Sequence, residues 1–368
     1  MADLEATLNE LREEYAKTKH NKATNKHLGI LRKKIANVKK EMSSSKKSRG
    51  IGFAVKKSGD ATVVLVGFPN AGKSSLLSAI TNAESRIASY EFTTLDVIPG
   101  TMKYMGANIQ ILDIPGLIEG AGQGKGGGAK IASVIRVSDL LLIMLDITKP
   151  EGLYTLLDEL YDLDIRINKT RPRINVERRI TGGLELESLG HKIPSKREVQ
   201  EILNSYGIYN GKVIFHQDAD LFDVMEIMDN SIVNIKALII LNKIDSVTPA
   251  FTNAISKEIE EKTKVKTVPI SAAEKTNLEA LRRIIFSELG LVRIYLKPKD
   301  GKADMEKPMI LRGNSTVMDL ARKLHSKTAN NIRYAYINGK SAKFANQRQG
   351  REHLLADEDI VTLVYEKV

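Results

Sequence analysis

The sequence contains no cysteine, which excludes disulfide scaffolds, thiolate metal sites and cysteine nucleophiles. Long apolar runs are also missing. The longest, residues 140–145, has six residues, against the roughly 18 that a membrane-spanning helix needs. The first 30 residues carry Asp3, Glu5 and Glu10 and no apolar block, so no secretory signal peptide is expected. What is present is ordinary for a globular chain: 368 residues, 42% hydrophobic and 27% charged. Two or three domains, soluble and cytoplasmic, with no membrane partner, are the expectation.

Acidic charge is scarce at both ends. The formal charge of the whole is +11. Residues 1–50 contribute +7, 51–150 contribute +1, 151–290 contribute −3 and 291–368 contribute +6. Basic ends around a near-neutral middle suggest a polyanion partner, RNA or the ribosome. Solubility alone is the competing explanation. If the ends bind RNA, deleting either should weaken that binding and flatten its salt dependence, with ligand binding by the middle of the chain expected to survive.

Periodicity divides the chain. Leu4, Leu8, Leu11 and Tyr15, then Leu28, Leu31, Ile35, Val38 and Met42, recur at helical spacing around the polar stretch 21–25, which predicts a helical hairpin. Residues 43–50 have no apolar residue and read as a linker. Short β-branched or apolar runs at 61–66, 108–112 and 140–147 fit buried parallel strands. The next such run, 237–241, follows after about ninety residues, far more than one crossover helix needs. The gap has its own pattern: strand around 174–180, helix 196–205, strand 212–216, helix 222–233. Residues of about 165–232 therefore read as an inserted α/β module. A strand at 265–270 and a helix at 277–289 complete the core domain. Beyond it, strands at 292–296, 334–337 and 360–365 around a helix at 316–325 predict a separate small half-open sheet of the ubiquitin-like kind. The expected domains are 1–50, 51–290 and 291–368, and the fold class is α/β.

The chemistry lies on strand ends. GFPNAGKS at 67–74 matches the phosphate-binding loop G-x-x-x-x-G-K-[ST], directly after a strand and before a helix. Gly67 and Gly72 let the backbone N–H groups of this loop, which also holds Pro69, Asn70 and Ala71, turn around a β-phosphate. Lys73 brings a charge to the β/γ oxygens, the Ser74 hydroxyl can ligate Mg²⁺, and Ser75 follows in the helix. DIPG at 113–116 offers Asp113 to Mg²⁺ and the Gly116 N–H to a γ-phosphate, although D-x-x-G alone is a common turn. NKID at 242–245 places Asn242, Lys243 and Asp245 after a strand. A carboxylate only accepts hydrogen bonds, so Asp245 suits the paired donors of guanine and disfavours adenine. Ser271, Ala272 and Ala273 are positioned for a backbone contact to guanine O6. Four elements in this order predict a GTP/GDP site.

Residues 90–95 (YEFTTL), 113–121 (DIPGLIEGA) and the insertion before NKID resemble the Obg-related GTPases, most of all the developmentally regulated GTP-binding (DRG) family of eukaryotes and archaea. Residues 22–29 (KATNKHLG) are similar to that family's N-terminal helical motif, and 291–368 to its TGS domain. The resemblance implies an N-terminal helical hairpin, a P-loop GTPase domain with a ribosomal-protein-like insert, and a C-terminal β-grasp TGS domain. It also implies a role around ribosomes and translation, and a dedicated protein partner. Residues 90–99 would be the first switch, with Thr93 or Thr94 supplying a hydroxyl to Mg²⁺ and motif alignment favouring Thr94. The Gly-rich stretch 117–130 would be the second, permissive in φ/ψ and able to order around a γ-phosphate.

A last absence bears on mechanism. Many GTPases place a water-orienting Gln after the D-x-x-G glycine; here that residue is Leu117, so unaided hydrolysis should be slow. Gln123 is nearby with no geometry that the sequence defines. Asn70, fourth in the phosphate loop, is the residue in which P-loop GTPases stimulated by potassium resemble one another. An amide oxygen there could help hold K⁺ where charge develops in the transition state, whereas shaping the turn after Pro69 is the simpler role. The expected function is GTP hydrolysis to GDP and phosphate as a switch on ribosomes or translation factors, with Lys73, Thr94, Gly116 and Asn70 at the reacting phosphate. The alternative is an RNA- or ribosome-docking module in which GTP is a slow timer or structural ligand.

Overall fold

The computed structural model describes residues 59–81, 98–114, 127–229, 232–325 and 329–366, with residues 7, 10, 11, 14, 17, 31, 34 and 38 near the start. Those eight early residues are helical, with Leu31 buried. The proposed linker 43–50 lies outside the described residues. Two compact units emerge: Met1–Gly52 with Asp164–Asn234, and Phe53–Leu163 with Ile235–Val368.

The larger unit begins with β1 (Ala61–Gly67), α1 (Lys73–Ile80), β2 (Ile98–Tyr104), β3 (Ala107–Asp113), α2 (Gly127–Val137), β4 (Leu140–Asp146) and α3 (Gly152–Asp162). The smaller unit follows with β5 (Ile165–Ile167), β6 (Ile174–Arg178), β7 (Leu184–Glu187), α4 (Lys196–Ser205), β8 (Gly211–Phe215), α5 (Leu221–Met228) and β9 (Val233–Ile235). The chain then returns through β10 (Ala237–Asn242), α6 (Pro249–Thr263), β11 (Thr267–Pro269) and α7 (Leu278–Glu288). It ends with β12 (Leu291–Leu296), β13 (Met309–Arg312), α8 (Val317–Leu324), β14 (Ile332–Asn338), β15 (Gln347–Gln349) and β16 (Asp359–Tyr365).

The central sheet has the order β11-β10-β4-β1-β3-β2. All pairs are parallel except β2 with β3. Every residue of β1 and β10 is buried, and both strands are mostly apolar because a parallel strand is covered on both faces. The phosphate loop, Asp113, NKID and Ser271 therefore follow or end strands at the same, C-terminal, edge of the sheet. β2 escapes a sequence reading because Pro99 and Gly100 look like a turn. As an edge strand it tolerates the proline, and Gly100 lets α1 approach: a Cβ there would lie 2.8 Å from Leu77 Cδ1. Residues 98 and 99, expected at the end of the first switch, thus belong to β2. Residues 127–130, expected in the second switch loop, open α2 instead.

In the insert, β6, β8 and β7 form a sheet over a core of Phe215, Val199, Leu203, Val213 and Val224. Both helices begin with capping boxes, Ser195 with Glu198 and Asp220 with Asp223, each satisfying two otherwise orphan backbone donors. The helix expected to reach residue 233 stops at Met228. Asp229 is extended (φ −95°, ψ 100°) and opens the poor helix-forming stretch Asp-Asn-Ser, while Val233 joins a strand that pairs with β5.

The C-terminal sheet, ordered β13-β12-β16-β14-β15, wraps α8 around Val317, Leu320, Ile332, Ile337 and Val361. It has its own sheet and its own buried cluster, and it also packs against the core domain within one compact unit. Gly290 (φ 60°) ends α7 and β12 starts at once. Leu291 and Ile310 are part of the same buried cluster as Phe286 and Ile285. Lys323 pairs with Asp60 and Arg312 with Asp139, each at 2.8 Å. The tight β2–β3 turn, with Met105 and Gly106 both at positive φ, suits a two-residue hairpin. A Cβ on Gly106 would lie 2.5 Å from the Pro308 ring.

Candidate GTP-binding site

The phosphate loop runs from the end of β1 into α1. Gly67 lies so close to the Met144 carbonyl that a Cβ would collide with it. Gly72, at the N-cap of α1, is left-handed (φ 95°, ψ 22°) and abuts the Asn242 amide, which a Cβ would strike. Both glycines are thus required by conformation or close approach. No side chain caps α1, so its first-turn N–H groups remain for a phosphate. Lys73 Nζ donates to the carbonyls of Gly67 and Phe68 at 2.9 and 3.0 Å, curling over its own loop. Burial lowers its pKa, and the neighbouring Asp113 opposes this.

Asp113 ends β3 in a buried position. Its Oδ2 accepts from Ser74 Oγ at 3.4 Å, while buried Oδ1 has no hydrogen-bond partner. Burial raises its pKa, against the influence of Lys73 and Ser74. An orphaned buried carboxylate oxygen beside a hydroxyl is a donor pair suited to a hard divalent cation, which would repay the desolvation. Two of the three expected Mg²⁺ ligands, Ser74 and Asp113, are therefore together. Thr93, Thr94, Gly116, Leu117 and Gln123 lie outside the described residues.

At the base end, Asn242 is buried and both ends of its amide are spent within the protein. Nδ2 donates to the Ala71 carbonyl at 2.8 Å, and Oδ1 accepts from the Ala272 amide at 3.0 Å. One side chain thus locks the phosphate loop to two loops distant in sequence. Asn242 and Ala272 thus hold the loops of the site together, and Ala273 beside them is exposed. Ser271 is fully buried and its Oγ accepts from the Glu274 amide at 3.1 Å, holding the turn. Asp245 is exposed in the 3-10 turn Ile244–Ser246, where its carboxylate can receive a ligand. Ser75 is exposed in α1, and Pro69 and Asn70 are exposed at the loop's apex, with Asn70 left-handed at φ 63°.

Sequence reasoning missed Asp146. At the end of β4, its Oδ2 holds Lys243 Nζ at 2.6 Å, and its Oδ1 accepts from the Thr148 amide and hydroxyl at 3.0 and 2.7 Å. Burial works against its ionisation, but the bonds from Lys243 and Thr148 outweigh that and lower its pKa. The available signal was a charge that ends the apolar run 140–145 at the same edge as the other motifs. Asp146, Lys243 and Asn70 border a cavity of about 450 Å³ beside the phosphate loop.

Comparisons with known proteins identify the family. A family model described as 50S ribosome-binding GTPase matches residues 62–178, a model of that domain's C-terminal region matches 181–291, and the TGS domain model matches 292–365. An uncharacterized GTP-binding protein of Methanocaldococcus jannaschii is 40% identical over 99% of this chain and 93% of its own length. Developmentally-regulated GTP-binding protein 2 of Homo sapiens is 38% identical over 97% and 98%. The solved structure of a GTP binding protein from Pyrococcus horikoshii OT3 aligns with 83% of this chain and all of its own, at 17% identity and a TM-score of 0.48. With a P-loop, a guanine-side lock and a TGS domain in near full-length correspondence, the chain belongs to the developmentally regulated GTP-binding protein family of GTPases.

Proposed function

We propose that this GTPase is a nucleotide switch acting on ribosomes or translation factors in the cytoplasm, gripping RNA through its basic ends with the help of a dedicated protein partner. The carrying observation is the pairing of the four nucleotide motifs with net charges of +7 over residues 1–50 and +6 over residues 291–368. The printed description of the matching family model, 50S ribosome-binding GTPase, supports the same reading. Among the described residues, no helix is long and apolar enough to cross a membrane.

In the reaction, water attacks the γ-phosphorus, the bond to the β–γ bridging oxygen breaks, and GDP and inorganic phosphate leave. Lys73 exchanges its two carbonyl partners for β/γ oxygens. The α1 amides hold the β-phosphate, and Asp245 selects guanine. Ser74 and Asp113, with Thr94, would hold Mg²⁺, which neutralises charge on the phosphate oxygens. Leu117 cannot orient water, so help comes from elsewhere. Asn70, exposed at the loop apex, would help hold K⁺ near the β–γ bridge. K⁺ should then accelerate hydrolysis above Na⁺ at equal ionic strength, and Asn70→Ala should erase the difference while GTP binding persists. Equal rates in the two salts would rule this out.

Leu117 also favours a second reading, in which the protein is mainly a ribosome-docking module and GTP a slow timer. Steady-state hydrolysis with and without ribosomes separates the two. A switch gains turnover on ribosomes and co-sediments with them differently in a GTP analogue and in GDP. A timer does neither.

A further inference from the structure

The outer face of the C-terminal sheet carries aromatic and basic side chains that the nucleotide site does not use. One face of this sheet is filled by α8 and its apolar partners. Alternation along β14 turns Ile337 inward and Tyr334, Tyr336 and Asn338 outward, and the register sets Tyr336 between Thr362 of β16 and Arg348 of β15. The two tyrosines meet edge to face, ring centres 5.3 Å apart. The Arg348 guanidinium lies 4.1 Å from the Tyr334 ring centre. Tyr336 is 39% exposed, and Phe344, in the loop between β14 and β15, is 65% exposed. Beside Tyr336 is a cavity of about 280 Å³ lined by Lys297, Lys302, Asn338, Asn346 and Thr362.

An uncharged protein partner would be met by a more uniformly apolar face, and a duplex would be met by cations without exposed rings. Here cations and amides surround rings that stand open, in a segment of net charge +6. The geometry points to a platform for single-stranded RNA on the outer β14–β15–β16 face, with a base stacked on Tyr336 and the flanking phosphates held by Lys297, Lys302 and Arg348. Every base has a π-face, so stacking of this kind tolerates sequence, while cations follow the backbone. The inference rests on the reading that RNA is the partner and locates one of its contacts.

The test uses the full chain loaded with GDP and fluorescein-labelled 12-nucleotide oligouridine, oligoadenosine and a 12-base-pair RNA duplex, read by anisotropy. Both single strands should bind more tightly than the duplex. Tyr336→Ala should weaken single-strand binding about tenfold, and Tyr336→Phe should retain it. Lys297→Ser with Lys302→Ser should flatten the slope of log affinity on log salt by about 1.4, at about 0.7 for each lost phosphate contact. Melting temperature and GDP affinity check the fold. If Tyr336→Ala lowers the melting temperature, the exposed Arg348→Ala decides, with weakened binding supporting the platform and unchanged binding overturning it. Duplex preference, or wild-type affinity in a well-folded Tyr336→Ala, also overturns it. Ribosome co-sedimentation without binding of either single strand overturns the platform and leaves the ribosomal reading standing. Oligonucleotide binding sensitive to Tyr336, without co-sedimentation, supports the platform and sinks that reading instead.

Discussion

The two ends of the central sheet are built by opposite means. At the C-terminal edge, glycines, Asn242 and Asp146 hold exposed loops by a few directional hydrogen bonds, and Asp113 keeps an orphaned oxygen. At the N-terminal edge, Leu291 and Ile310 of the C-terminal sheet enter the core, and ion pairs to Asp60 and Asp139 lie around the seam. The first end is polar and unfinished without a ligand. The second is apolar and complete. Affinity should therefore be lost at one end and stability at the other, and each substitution can test that division.

The largest effect is expected at the closed end. Ile310→Ala removes most of a side chain that is 3% exposed and should cost about 2–5 kcal/mol of stability. Urea unfolding checks this, and GDP affinity of the folded fraction should hold. By the same logic, a chain cut after Gly290 loses Leu291 and Ile310 from the core. Its stability should fall, while the folded fraction should keep GTP binding, in line with the expectation from sequence. At the open end, Asp245→Asn removes a paired charged acceptor worth roughly 1.5–3 kcal/mol, or about ten- to a hundred-fold in GTP affinity. Isothermal titration reads it, and the melting temperature of the nucleotide-free protein should not move. Wild-type affinity would displace the guanine site.

Asp146→Asn should have a smaller effect, a severalfold loss of GDP affinity through release of Lys243. It also has a pH signature. The pKa of Asp146 is lowered in the folded protein, so its stabilisation is complete above the ordinary carboxylate value and fades as pH falls through the lower folded one. The variant should lack this part of the acid limb in a plot of stability against pH, and an unchanged limb would show that the pair contributes nothing. The smallest effect belongs to Lys323→Ala. Its side chain is 40% exposed, and such pairs are worth at most about 1 kcal/mol. A larger change in urea unfolding would mean that the seam depends on charge as well as on burial.

Legibility followed the range of the interactions. The strands β1, β3, β4 and β10 and the P-loop were readable because apolar runs and glycine spacing are local signals. Edge strand β2 was hidden by Pro99 and Gly100, whose meaning depends on α1 packing over them. Helix α6 was not recognised because it buries only Thr252 and Ile259, too narrow a stripe to show a period. It is held by the Thr248 cap and Pro249 in the first turn.

From the sequence alone came the order of the motifs, the expectation that Asp245 selects guanine, the charge at both ends and the missing glutamine at Leu117. Those are properties of residue type and spacing along the chain. Tertiary structure alone decided that Asn242 joins Ala71 to Ala272, that Asp146 holds Lys243, and that Ile310 packs into the core of the preceding domain. Each of these joins residues distant in sequence. A side chain with two polar ends, or an apolar one on a half-open sheet, has no partner written beside it, and only the folded backbone brings one within reach.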